Sequence, residues 1–330
     1  MRHLRWLIGA LALALGTALP AQTVGGGVAP PCDRACMTGL VDRYLEALVR
    51  HDPTGLPLNR DVKFTENTAR LKVGTEGLWV AASEVPTGPR IYAIDPGAGQ
   101  AGFYGVMKER GRPLIIALRL KVVNGQITEI EHVLARTLRE DALRNLAMPR
   151  PEFTADVPPA DRLPRERMVA IADSYFEAIE HADGKLAPFA DECVRRENGG
   201  QTTLNATPVP WPVSLGSRQA DDAMAYLGTL SCSDQFDTHV MDFITRLWPR
   251  RHEIVDEEKG LVFSFPMFQH RGGTGSIRIH NVPGVDSLPL GGSSSNLQAG
   301  EIFKIERGRI TAVEAMGASL PYGTPSGWGE

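Results

Sequence analysis

The chain has 330 residues and 35 Lys and Arg against 39 Asp and Glu, a formal charge of −4 near neutrality. No basic face points to nucleic acid or an anionic membrane, so both partner classes are set aside. The length suits two domains of ordinary size, each able to bury a core.

Met1–Ala21 carries Arg2 and Arg5, an apolar run from Trp6 to Leu15 and Leu-Pro-Ala at 19–21. That order predicts a secretory signal peptide cleaved after Ala21, hence a secreted or periplasmic protein. Nothing else in the chain is apolar enough to span a bilayer. Residues 22–31 read as a flexible leader. Four cysteines, 32, 36, 193 and 232, suit an oxidising compartment and allow three pairings. Cys32–Cys36 and Cys193–Cys232 are the favoured bridges. C-x3-C also occurs in metal sites, but no second ligand pair stands at zinc spacing, so no metal is expected.

A repeat organises the rest. Asp42–Asn67 and Asp173–Asn198 align without a gap 131 positions apart, placing Tyr44 on Tyr175, Glu66 on Glu197 and Asn67 on Asn198. Later segments align at offsets of 161 (Asp95 on Asp256) and 183 (residues 121–131 on 304–314). Such self-similarity over a long period means two tandem copies of one domain. The second copy then carries insertions near 199–250 and 271–297. The expected domains are 32–147 and 165–320, followed by a tail, 321–330. Met148–Pro164, with five prolines, is expected to be a stiff, unfolded linker.

Each copy opens on an amphipathic helix. Met37, Leu40, Val41, Tyr44, Leu45 and Leu48 recur at helical spacing, as do Met168, Ile171, Ala172, Tyr175, Phe176 and Ile179. Asp52-Pro53 and Asp183-Gly184 close these helices. Strands are expected at 62–67, 90–95, 100–107, 114–123 and 127–136, with Asn124-Gly125 as a type I′ hairpin signal. Their counterparts are 193–198, 251–256, 260–270, 276–280, 302–306 and 310–316. The first insertion is expected to add helices near 217–230 and 233–248.

A long helix, then a short one, then a curved antiparallel sheet is the order of the SnoaL-like (nuclear transport factor 2-like) cone. The combination CDRAC, YLEALVRHDP, FTEN, LALRLKVVNG and RRHEIVDEEKGLVFSFPMFQH resembles secreted tandem SnoaL-like proteins of fungi and proteobacteria. Similar proteins include bacterial glutathione-independent β-etherases. The resemblance implies an α+β fold of two tandem cones, each a long N-terminal helix wrapped by a curved antiparallel sheet with a pocket at its wide end. It also implies cleavage of the β-aryl ether of lignin-derived dimers, a small aromatic substrate and no cofactor.

The residues themselves allow acid–base chemistry. Glu66-Asn67 and Glu197-Asn198 end the first strand of each copy, and a Glu in an apolar pocket has a raised pKa and can trade protons. The structural alternative is a carboxylate holding the helix–strand junction. His132 and His270 each occur in only one copy, where the twins are Ala315 and Glu109, which favours function over fold. Tyr44 and Tyr175 lie on inner helix faces, where core packing competes with donation to substrate. Tyr104 on a strand and Trp79 in a preceding loop are candidates to stack on an aromatic ring. Arg250 and Arg251 could clamp a carboxylate or an oxyanion, with Asp256 paired to one of them. The Gly272–Gly300 segment reads as a mobile flap. G-x-S-x-G, H-E-x-x-H and P-loop signatures are absent. The alternatives are another cofactor-free lyase, isomerase or dehydratase, or an exported binding protein. Assembly is expected as a monomer with the copies paired pseudo-dimerically, or as a homodimer.

Overall fold

A computed structural model describes residues 32–206 and 217–329; the expected signal peptide and leader lie outside the described residues. Helix α1 (Arg34–Arg50) starts at Asp33, whose carboxylate accepts from the Cys36 amide, and stops where His51 turns left-handed. Strands β1 (Leu58–Glu66), β2 (Ala69–Leu71), β3 (Ala82–Glu84), β4 (Ile91–Asp95), β5 (Gln100–Glu109), β6 (Arg112–Val123) and β7 (Gln126–Ala135) follow, with a 3-10 turn at Gly77–Val80. They form one sheet in the order β2-β1-β7-β6-β5-β3, with β4 on β5. Two-residue turns close the hairpins. Asn124-Gly125 and Arg110-Gly111 both have positive φ, the requirement of a type I′ turn.

Helices α2 (Glu140–Leu146) and α3 (Pro151–Thr154) lead to α4 (Arg165–His181). Then come β8 (Phe189–Glu197), β9 (Gly200–Gln201), α5 (Arg218–Leu227) and α6 (Cys232–Phe236). Strands β10 (Ile244–Leu247), β11 (His252–Asp256), β12 (Leu261–Ser264) and β13 (Met267–His270) come next. The chain ends with β14 (Ser276–Arg278), β15 (Ser287–Pro289), β16 (Ser295–Glu306) and β17 (Arg309–Pro321). The second sheet runs β10-β13-β16-β17-β8-β9, with the β11–β12 hairpin on β16. Helices and sheets are therefore segregated, as in an α+β chain, and each sheet is filled by one helix. Tyr44 and Phe64 anchor the first core, Tyr175, Phe176 and Phe303 the second.

Several expectations are corrected. The sheets are not wholly antiparallel, because β1 joins β7 and β8 joins β17 in parallel. Asn67 and Asn198 seal these joints: Asn67 exchanges hydrogen bonds with the Leu134 backbone and Asn198 with that of Gly317. The strand expected over 260–270 breaks into β12 and β13 at Pro266, which has no amide to give a ladder. The helix expected over 233–248 ends at Phe236, and Ile244–Leu247 pairs with β13 instead. The segment 148–164 is packed, not an unfolded linker: Phe153 and Val157 are buried, the Val157 amide donates to Glu258, and Lys304 Nζ donates to Ala155. The Gly-rich flap contains the β14–β15 hairpin. Ile277 and Leu288 on it share a small core with Ala223 and Leu227 of α5, so the two insertions fold on each other.

The described residues belong to one compact unit. The sheet faces turned away from α1 and α4 meet in a third core containing Ile91, Tyr104, Ala117, Ile254, Phe263 and Ile302. Contact is so close that a Cβ on Gly300 would stand 2.5 Å from Ala117 Cβ, and one on Gly102 2.5 Å from Ile254. At the rim the repeats exchange partners. Arg34 at the start of α1 pairs with Asp256, and Arg165 at the start of α4 pairs with Asp95. Asp256 accepts from the Ile94 amide at 2.9 Å and Asp95 from the Val255 amide at 3.1 Å. Asp256 thus pairs with Arg34 and not with Arg250 or Arg251. Asp95→Ala and Asp256→Ala should each cost about 1–3 kcal/mol, since each orphans a buried amide and an arginine. Urea unfolding checks this through a lowered midpoint at unchanged slope.

Candidate functional site

The inner face of each sheet carries one row of three residues just where the first and last strands join in parallel. In the first repeat the row is Leu118, His132 and Glu66, set side by side on β6, β7 and β1. Tyr44 reaches down from α1, and its hydroxyl lies 2.9 Å from His132 Nε2. His132 Nδ1 faces Glu66 at 3.5 Å. Glu66 also accepts from the Leu78 amide at 2.8 Å and from Arg136 at 2.9 Å. Burial pushes the Glu66 carboxyl up, but His132, the Leu78 amide and Arg136 outweigh it and hold it at about 2. Burial raises the Tyr44 hydroxyl well above its ordinary value. Nε2 is bonded to Tyr44, whereas the buried Nδ1, though it faces Glu66, makes no hydrogen bond. Three expected residues are therefore assembled, but they lie sealed under Leu78 and Trp79. Trp79 sits in the 3-10 turn, fully buried and edge-on to Tyr44 at 5.4 Å, and is not exposed in a loop for stacking.

The same row in the second repeat reads Glu301, Ala315 and Glu197 on β16, β17 and β8. Ala315 removes the imidazole that fills this place in the first repeat. Arg195, aligned with Phe64, sends a buried guanidinium into the interior. It pairs with Glu197, donates to Gln235 at 2.6 Å, and lies 4.7 Å from the Phe236 ring centroid and 5.5 Å from that of Tyr175. Gln235 and Phe236 are held there by α6, which the Cys193–Cys232 disulfide ties to β8. The second bridge is Cys32–Cys36.

The two carboxyls of this row are in unequal surroundings. Glu197 is a third exposed and paired to Arg195. Glu301 is buried, and its Oε2 has no hydrogen-bond partner. Burial, then the charge of Glu197, raise its carboxyl to about 8 against the pull of Arg195. Near neutrality the Glu301 carboxyl holds its proton, and Glu197 lies against the Arg195 guanidinium. Environments that drive two such groups apart are what an acid and a base require. Burial raises the Tyr175 hydroxyl as well.

The remaining expected residues are elsewhere. His270 packs edge-to-face with Phe243, ring centroids 5.1 Å apart, and burial lowers it to about 4, so it is neutral at physiological pH. Its neighbour on β16 is Ser295, six residues and roughly 20 Å of strand from Glu301. It cannot act together with Glu197. Asn198 is spent on the Gly317 backbone. Arg251 lies between the sheets, paired with Glu131 and Glu253, while Arg250 binds Asp173, Glu177 and Glu180 on α4. Tyr104 is buried in the core between the sheets. Arg195, Gln235 and Glu301 escaped the sequence reading. Their signal was present: Arg195 and Glu301 are charged where the aligned residues, Phe64 and Leu118, are apolar core.

A surface cleft of about 540 Å³ lies between α5 and Pro283–Val285, and a crevice of about 10 Å³ beside Tyr104, Arg150 and Glu314. Among the described residues no group of three His, Cys, Asp or Glu side chains is placed to hold a metal ion, and no helix is long and apolar enough to cross a membrane. A family model described as a domain of unknown function (DUF8021) matches residues 161–317. That span contains Tyr175, Arg195, Glu197 and Glu301 and none of the first repeat. No curated protein matches the chain.

The raised carboxyl has a thermodynamic signature. With a folded value of about 8 against an ordinary 4.5, Glu301 binds its proton more tightly in the folded state. Its contribution is complete below pH 4.5 and is lost as pH rises through 8, a decline of at most a few kcal/mol. Glu301→Gln keeps the shape without the proton, so stability measured by urea unfolding across this range should become flatter than in the parent.

Proposed function

We propose that the second repeat is a cofactor-free acid–base catalyst of the lyase type, acting on β-aryl ethers of phenylpropanoid dimers. What supports the reading is a protonated Glu301 and an Arg195-paired Glu197 on one inner row, separated by Ala315. Glu197 takes a proton from the carbon next to the ether-bearing carbon. The electron pair of that C–H bond forms the new C=C bond, the C–O bond breaks, and Glu301 delivers its proton to the departing phenolate. Free phenolate is a poor leaving group, with a conjugate acid of pKa about 10, so a placed acid assists. Arg195 pairs with Glu197 and offers charge to the developing oxyanion. Tyr175 and Phe236 supply apolar aromatic walls.

The substrate class follows the resemblance of the repeats to tandem SnoaL-like cones, and the reading extends it to both halves. The first repeat, sealed by Trp79, serves as the structural partner. We also propose export from the cell, with which the two disulfides and the lack of a membrane-crossing helix among the described residues are compatible.

Purified protein, without glutathione, nicotinamide or metal, should release guaiacol from guaiacylglycerol-β-guaiacyl ether, followed by chromatography. Glu301→Gln and Glu197→Gln should each lower kcat by about 10²–10⁴-fold, whereas His270→Ala should leave it within a few-fold. The rate should fall above the Glu301 value of about 8 as the acid is lost. Release that survives both glutamate changes would move the chemistry out of this row. A rise in melting temperature without release would mark a binding protein.

A further inference from the structure

The end of the chain builds a second site, on the outer face of the first sheet. After β17 the backbone turns at Gly323 and Thr324, both held by Asn296, and returns to β1. Gly327 fits only as glycine: its φ is +80°, and a Cβ would lie 2.7 Å from the Thr68 carbonyl. Lys63 Nζ donates to the Gly327 carbonyl at 2.5 Å. The next residue, Trp328, is only half-buried, and three cations surround its ring. Lys63 Nζ lies 3.8 Å from the ring centroid, Arg119 Cζ 4.4 Å and Arg251 Cζ 5.7 Å. At the edge the indole N–H donates to Thr65 Oγ1 at 3.0 Å.

Two of the three cations are held without the tail, whereas Lys63 bonds to it. Arg119, only 1% exposed, is held by Glu131 at 3.0 Å and Glu129 at 2.8 Å, and Arg251 also pairs with Glu131. Arg119 Nη2 and the neighbouring Gln298 Oε1 are nevertheless buried without a hydrogen-bond partner. Cations against a ring face and a hydroxyl acceptor at the ring edge recognise one chemistry, an electron-rich aromatic ring bearing an N–H or O–H. Thr65 and Lys63 alternate with the inward Phe64 and Glu66 on β1, so the cradle is on the opposite face of a different sheet from Glu197 and Glu301.

We propose that this cradle binds a free indole- or phenol-type molecule and that Trp328 is its built-in occupant. Trp328 follows β17 by a six-residue link, 322–327, in which Tyr322, Gly323 and Pro325 are exposed, and release of its last residues lets the indole leave. An occupant in cis lowers the apparent affinity for a free ligand by the fraction of time the site is filled.

Calorimetric titration with indole tests this without any turnover assay. Full-length Trp328→Ala should bind indole saturably, and the parent at least about tenfold more weakly. Gly327→Val, which dislodges the tail and leaves the cradle intact, should also bind more tightly than the parent. Adding Thr65→Val and Lys63→Gln to Trp328→Ala should weaken binding about tenfold. A folded Trp328→Ala protein that does not bind indole overturns the proposal. Equal binding by parent and variant, or binding indifferent to Thr65 and Lys63, overturns it too. Binding of the peptide TPSGWG but not of indole reassigns the contact as a structural latch, as does failure of both tail variants to fold.

Discussion

Everything in this molecule depends on two sheets being pressed together on the faces their helices do not cover. A curved sheet with one helix in its hollow still has an apolar back, and burying about 25 cal/mol per Å² of such surface is the main force available to it. Here the backs of the two sheets cover each other, with Gly102 and Gly300 allowing an approach that any side chain would prevent. Apolar packing alone permits sliding. Asp95 and Asp256 remove that freedom, because each takes an amide from the other repeat's strand and an arginine from the other repeat's helix.

With that frame shared, the interiors are free to diverge. The first holds a Tyr44–His132–Glu66 chain under Trp79, in which Tyr44 is bonded to His132 and Glu66 to the Leu78 amide and Arg136. The second replaces Phe64 by Arg195, Leu118 by Glu301 and His132 by Ala315. Burying the Arg195 guanidinium and the Glu301 carboxyl costs free energy that an apolar core would not. The molecule meets part of that cost by keeping a proton on Glu301. Groups left partly unsatisfied inside an otherwise well-packed protein are where function is to be sought.

Much of the fold was legible because it is local. The faces of α1 and α4, the Asn124-Gly125 turn and the repeat offset are all written in neighbouring residues. What escaped is what only strand register creates. Glu301 and Glu197 are 104 positions apart and meet only because β16, β17 and β8 align at Ala315. His270 drew attention as a one-copy histidine, yet its strand delivers it to Ser295 and Phe243. The pairing of Arg34 with Asp256 was hidden for the same reason, since nothing local says which arginine will arrive. Pro266 was visible, but one proline in a run of apolar residues does not announce that the strand resumes beyond it.

The bond between Cys193 and Cys232 has a covalent consequence. It closes a ring containing β9 and α5 together with the chain between them, and β8 and α6 stand at its clasp. A single cut of the backbone anywhere in that ring leaves the two pieces joined. Such a protein keeps its mass under oxidising conditions and falls into two fragments only when reduced. A cut in this insertion therefore does not separate Arg195 from the α6 residues that hold it.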